Sequence, residues 1–201
     1  MIKRWVRALS VVSCISMSLV LVGFAHAEEF QVDSVHSSVG FAIRHLVSEV
    51  DGKFKEFDGT FSFNQANPEK SWVKAKIKTT SISTDNEKRD GHLRSPDFFD
   101  VKKYPELTFV SKEIKKTGES SYTMTGDLTM HGVTKPTTFD VKFMGLAKGP
   151  DGKMRAGFKA IGKVNRKDYG ISWNKTLDAG GLMLGEDVDI TIRVEAPQTK
   201  S

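Results

Sequence analysis

A chain of 201 residues with 30 basic and 25 acidic residues and one cysteine is long enough for a single domain with a sizeable core. It cannot be a disulfide-stapled scaffold. The formal charge of +5 is concentrated at the start of the chain: without Lys3, Arg4 and Arg7 the balance is 27 basic against 25 acidic residues, which leaves no electrostatic footprint for nucleic acid.

The first element is a leader. Lys3, Arg4 and Arg7 precede an apolar run from Ala8 to Phe24, and Ala25-His26-Ala27 closes it, the order of a secretory signal with a small-residue cleavage site. Cleavage after Ala27 is expected, with Glu28 as the new N-terminus, residues 1–27 as signal and 28–201 as one domain with no stable membrane span. The alternative is an uncleaved anchor, because the run is near the roughly 17-residue minimum for crossing a bilayer. Lipidation at Cys14 is disfavoured by its position inside the apolar run. Once the leader is removed, no cysteine remains, and the core alone must hold the domain together.

From Phe30 onward apolar and polar residues alternate, the period of a strand with one buried face. Val39, Phe41 and Ile43 form the first apolar set, Phe57, Phe61 and Phe63 the next, and Val73, Ala75 and Ile77 a third opposite Lys74, Lys76 and Lys78. After a long connection come Leu107 and Phe109, then Tyr122, Met124, Leu128 and Met130, then Phe139, Val141 and Phe143. Met154, Ala156, Phe158, Ala160 and Val164 follow, and Val188, Ile190, Ile192 and Val194 close the series. Asn67-Pro68, Thr117-Gly118, His131-Gly132, Gly149-Pro150-Asp151-Gly152 and Gly180-Gly181 mark turns between them. The pattern predicts about eight or nine antiparallel strands in a sandwich or barrel, with a frayed polar tail from Pro197. An outer-membrane barrel is a poor fit, because its outward face is apolar and these strands turn lysines outward. The inward phenylalanines leave two readings open: a filled core, or a barrel lumen that holds one small ligand.

The long connection, Thr79 to Pro105, breaks the alternation with charge, histidine and paired aromatics. Thr84 and Glu87 fit a capping box and Ser95-Pro96 fits a helix start, so two short helices are expected there. Arg89 and His92 share a helical face, and Asp85 and Arg89 have ion-pair spacing. One reading is capping and surface pairing. The other places Arg89, His92 and Arg166 at a barrel mouth, holding a polar or anionic head group by charge-assisted hydrogen bonds, with Asp90 orienting a basic neighbour. Arg166, Asp168 and Tyr169 also fit a structural turn. His36, His45, His92 and His131 have no ligand spacing, so no metal and no cofactor is expected. Neither a G-x-S-x-G elbow nor a glycine-rich phosphate loop occurs. The enzymatic alternative rests on His92 and Asp90 alone as acid and base.

Taken in order, Val32-Asp33, His36, Phe41 and His45, Gly59-Thr60-Phe61, Asn86, Arg89-Asp90, His92-Leu93, Phe98-Phe99-Asp100 and Tyr104-Pro105 form one part of a recognisable pattern. Gly126 to Pro136 and Asn165 to Gly170 complete it. This pattern resembles the YceI-like family of exported, lipocalin-like polyisoprenoid-binding proteins over almost the whole mature chain. The resemblance implies an all-β, extended antiparallel barrel and a bacterial periplasmic location. Its ligand would be an isoprenoid lipid, polyprenyl or quinone-like, or a similar long-chain amphiphile held for transport or storage, with no catalysis. The expected cavity residues are Phe41, Ile43, Phe57, Phe61, Phe63, Ile77, Leu107, Phe109, Met124, Leu128, Phe139, Val141, Phe143 and Phe158. The expected mouth residues are His45, Arg89, Asp90, His92 and Arg166. A homodimer is compatible with all of this.

Overall fold

A computed structural model describes residues 28–177 and 181–199. The expected leader and its expected cleavage site at Ala27 lie outside the described residues, apart from Glu28, and so does Gly180 of the expected Gly180-Gly181 turn.

Among the described residues eleven strands form one antiparallel sheet, two more than the upper expectation. They are β1 (Glu28–Gln31), β2 (Ser38–His45), β3 (Ser48–Phe54), β4 (Phe57–Phe63), β5 (Trp72–Lys78), β6 (Ile82–Ser83), β7 (Glu106–Lys116), β8 (Ser121–Met130), β9 (Val133–Lys148), β10 (Met154–Asn165) and β11 (Leu184–Pro197). The order across the sheet is β1-β4-β5-β7-β8-β9-β10-β11-β2-β3-β6. The extra strands are short pieces, β1 and β6, with too few residues to show a period.

The sheet curls into a barrel, and β1, at one end of the strand order, returns to the end of β11. On one side β1 pairs with β4, and on the other Asp33 N donates to Glu195 O at 3.0 Å and Thr199 N to Glu29 O at 2.9 Å. Those bonds tie the chain down through Thr199, so the tail expected to fray from Pro197 is held. β3 and β4 follow one another in sequence yet share no ladder. Their corner is instead fastened to the long connection and its preceding strand, through Lys55 N to Ser81 O and Glu56 O from Lys78 N.

Alternation dictates the inward face. In β8 the even-numbered residues Tyr122 to Met130 are all buried. The β8–β9 turn is His131-Gly132 with φ of 52° and 76°, the left-handed pair that matches the twist of a two-residue hairpin. Glycine is required at the second position for a further reason: a Cβ on Gly132 would stand 2.6 Å from the Tyr104 ring.

The connection holds one α-helix, α1 (Glu87–Arg94), where two were expected. Its N-cap is Asn86, whose Oδ1 accepts from Arg89 N at 3.0 Å. Thr84 does not cap: its hydroxyl oxygen accepts from Arg89 Nε at 2.7 Å, while its hydroxyl and amide donate to Asp90 Oδ1 at 2.6 and 2.8 Å. Residues from Ser95 onward form turns, with Phe98 N and Asp100 N both donating to Ser95 O.

Candidate functional site

The barrel encloses a cavity of about 270 Å³ whose accessible wall is wholly apolar. It runs lengthwise: Phe158 and Val164 both line it and lie six residues apart on β10, about 20 Å at 3.3 Å per residue. Phe61, Phe158 and Val194 line one end, and Ile82, Leu93, Phe98, Met130 and Ile171 the other. An apolar space of this kind stays dry when empty and suits an apolar guest.

Thirteen of the fourteen expected cavity residues line this space; Phe143 does not. Its ring packs instead against Phe63 and Phe158, with centroids 5.0 and 5.2 Å away. Filled core and lined lumen are therefore both present. Phe30 and Phe61 stack at 5.1 Å in a packed end cluster with Ala156 and Ala196, while Phe109 and Phe139 meet edge to face at 5.4 Å on the cavity wall. Sequence periodicity missed the lining contributed by the connection, Ile82, Leu93, Phe98 and Phe99. The paired phenylalanines were the available signal there.

Of the five expected mouth residues only Arg166 lines the cavity. The helix charges are turned to the neighbouring backbone. Arg89 donates from Nε to Thr84 Oγ1 at 2.7 Å and from Nη2 to Thr84 O at 2.9 Å. Asp85, its expected ion-pair partner, lies 4.0 Å from Lys53 Nζ. Arg94, not foreseen, donates to Thr80 O and Ile82 O at 2.9 and 2.8 Å. Asp90, buried at 5 % exposure, serves Thr84. His92 pairs with Asp97 Oδ2 at 2.8 Å and stands edge-on to Phe98 and Trp173. The acid–base couple of His92 with Asp90 is thus not assembled, since each side chain has a different partner. His45 ends β2 opposite Leu184.

Arg166 caps the end of β10, where Asn165 Oδ1 accepts from Lys167 N and Gly170, at φ 77°, ends the short 3-10 turn. It is 3 % exposed. Its Nε donates to Gly185 O at 2.9 Å and Nη1 to Ile171 O and Trp173 O, each at 2.8 Å. Nη2 has no partner. Burial pulls its pKa down, opposed by the charge of Glu186, although a guanidinium keeps its proton in proteins. Tyr122 OH also lacks a partner, and burial raises its pKa.

One cluster lies outside the cavity. Asp33, His36 and Glu195 bring three donor atoms within 4.8 Å of one another, a convergence that linear spacing did not reveal. Arg155 Nη1 stands 3.8 Å from Asp33 and 3.7 Å from Glu195, so one cation already offsets part of the carboxylate charge. His36 Nδ1 meets Asp33 Oδ2 at 2.8 Å. That hydrogen bond, reinforced by charge, raises the His36 pKa, and the same bond together with Val35 N–H lowers that of Asp33.

The family model described as YceI-like domain matches residues 30–196. Protein YceI of Escherichia coli is 45% identical over 181 residues, covering 89% of this chain and 91% of its own. A crystal structure of the Campylobacter jejuni YCEI protein superposes with a TM-score of 0.67 at 37% identity, over 79% of this chain and 91% of that one. A polyisoprenoid binding domain from Saccharophagus degradans, implicated in plant cell wall breakdown, shares the fold with a TM-score of 0.60 at 15% identity, over 86% of this chain and 99% of that one. On the strength of the matched model and the full-length relatives, this chain belongs to the YceI-like family.

Proposed function

We propose that this protein is an exported carrier that encloses the apolar tail of an isoprenoid lipid, polyprenyl or quinone-like, or a similar long-chain amphiphile, and that it holds its ligand unchanged. The observation that carries the reading is the elongated cavity with a wholly apolar wall inside a fold shared with a polyisoprenoid binding domain. Burying several hundred Å² of tail at about 25 cal/mol per Å² yields on the order of 10 kcal/mol before ordering and association costs. Tail burial therefore dominates affinity. At about 270 Å³ the space is just below the roughly 300–1,000 Å³ typical of ligand pockets, so a long tail enters by moving wall side chains or leaves part of its length outside.

The leader supports export: a basic start, an apolar run and Ala25-His26-Ala27 direct cleavage after Ala27 and release into the periplasm. Intact-mass measurement of protein from the periplasmic fraction tests this, with a chain beginning at Glu28 expected and a retained leader or a lipid on Cys14 contrary to it. For binding, delipidated protein is titrated with a fluorescent polyprenyl probe. Saturable uptake at one probe per chain is expected, and absence of uptake by folded protein contradicts the carrier reading.

A further inference from the structure

We propose that Arg166 is the head-group anchor of the cavity and that it selects a long-chain amphiphile ending in one carbonyl-type oxygen, a carboxylate or a neutral carbonyl, over a phosphorylated one. The proposal rests on the reading that an apolar tail fills the lumen.

Three other cations at this end are engaged. Arg89 and Arg94 donate to backbone oxygens of the Thr79–Thr84 stretch, and Lys167 pairs with Glu186 at 2.5 Å. Arg166 differs in being a cavity-lining residue that is 97 % buried, by the 3 % exposure given above, while one of its nitrogens has no acceptor. Among the described residues no carboxylate lies within 4.0 Å of it to form an ion pair; the charged pairs there involve other side chains. A buried charge with an unpaired donor is destabilising unless something offsets it. A ligand oxygen on Nη2 would.

The three bonds to Gly185, Ile171 and Trp173 also limit what can be bound. They fix the guanidinium plane and occupy Nε and Nη1, so the two-nitrogen fork that grips carboxylate or phosphate bidentately is unavailable. Only Nη2 remains, with both its N–H groups, so a ligand oxygen is held from a single nitrogen and not across the fork. One positive charge neutralises one negative charge, and because the accessible wall is apolar a head group reaches Nη2 only as wall side chains move aside; the other unpartnered groups of the lining, Ser62 Oγ and Tyr122 OH, are neutral. A phosphate group carries about −1.5 to −2 at neutral pH, and its excess charge would be left unpaired in an apolar space. A monocarboxylate is neutralised in full, and a neutral carbonyl satisfies the donor without adding charge.

The test uses four sixteen-carbon probes on the delipidated mature chain in displacement titrations: hexadecanoate, methyl hexadecanoate, hexadecyl phosphate and 1-chlorohexadecane. Hexadecanoate is expected to bind at least about tenfold tighter than chlorohexadecane, the ratio for one hydrogen bond to a charged group, and tighter than the phosphate; the methyl ester falls between hexadecanoate and chlorohexadecane. Folded Arg166→Met should lose these preferences and bind all four alike. Because that substitution also frees three backbone carbonyls, a second readout needs no variant: the ¹⁵N side-chain signal of Arg166 should shift with hexadecanoate and stay still with chlorohexadecane. Equal binding of all four by the unaltered protein, a phosphate that matches or exceeds the carboxylate, or an unmoved Arg166 signal overturns the anchor while leaving tail uptake intact. If none of the four binds, the carrier reading itself falls.

Discussion

Substituting Ala160 by phenylalanine separates a ligand cavity from a loosely packed core. Ala160 is 7 % exposed, lies on β10 between Val141 and Ile192, and lines the cavity. A phenylalanine there projects its ring into the lumen. Burying about 150 Å² of ring against apolar wall is worth about 4 kcal/mol, which offsets an overpacking penalty of about 1–3 kcal/mol, so urea denaturation should show stability unchanged or slightly raised. A tail excluded from the same wall area loses about 4 kcal/mol, two to three orders of magnitude in affinity. Displacement titration of a fluorescent polyprenyl probe reads this directly. A stable Ala160→Phe protein that binds as tightly as the parent would show that the tail lies elsewhere. A variant that unfolds would show that the lumen has no room for a guest.

Asp90→Ala removes the acceptor for both Thr84 donors and should lower stability by about 1–3 kcal/mol in urea unfolding, with faster amide exchange in α1. Gly126→Ala should be destabilising by a similar amount, because the new Cβ would stand 2.4 Å from Val110 O and 2.6 Å from the Phe109 ring; thermal melts check it. The Asp33–His36 pair sets a pH dependence with two limits. The folded pKa of His36 is raised above its ordinary 6.5, so its contribution is full below about 6.5 and disappears as pH rises through the folded value. The Asp33 pKa is lowered below 3.8, so its contribution is present above that value and is lost as pH falls through the folded one. His36→Ala should flatten the stability profile on the alkaline side, measured by denaturation across pH; an unchanged profile would mean the pair contributes nothing.

Much of the barrel was legible because a period of two survives wherever one strand face meets an apolar interior, as in β8 and β11. The same rule picked out thirteen cavity-lining side chains, since lining and packing residues share one face and only depth separates them. Phe143 shows the limit. It obeys the alternation, yet the ladder shifts register between Gly157 and Phe158 beside it, and its ring turns onto Phe63 and Phe158. The connection was harder to read. Arg89, Asp90 and Arg94 carry the appearance of a binding site in linear sequence, and in three dimensions they hold α1 onto the backbone of residues 80–84. Thr84 failed as a cap for the same reason, because Arg89 Nε takes its hydroxyl oxygen and Asp90, six residues later, takes its donors. Arg166 was named for its charge and its place near a strand end. What distinguishes it, an unpaired nitrogen at the cavity wall, depends on Gly185, Ile171 and Trp173, whose approach no local pattern records.

Native mass spectrometry of the protein purified from its native cells, followed by extraction of what is bound, tests the carrier account most directly. The account predicts one long-chain amphiphile per chain, recovered chemically unchanged, and missing from the Ala160→Phe protein purified in the same way. A parent protein that carries nothing, or an Ala160→Phe protein that carries the same lipid in the same amount, would contradict it.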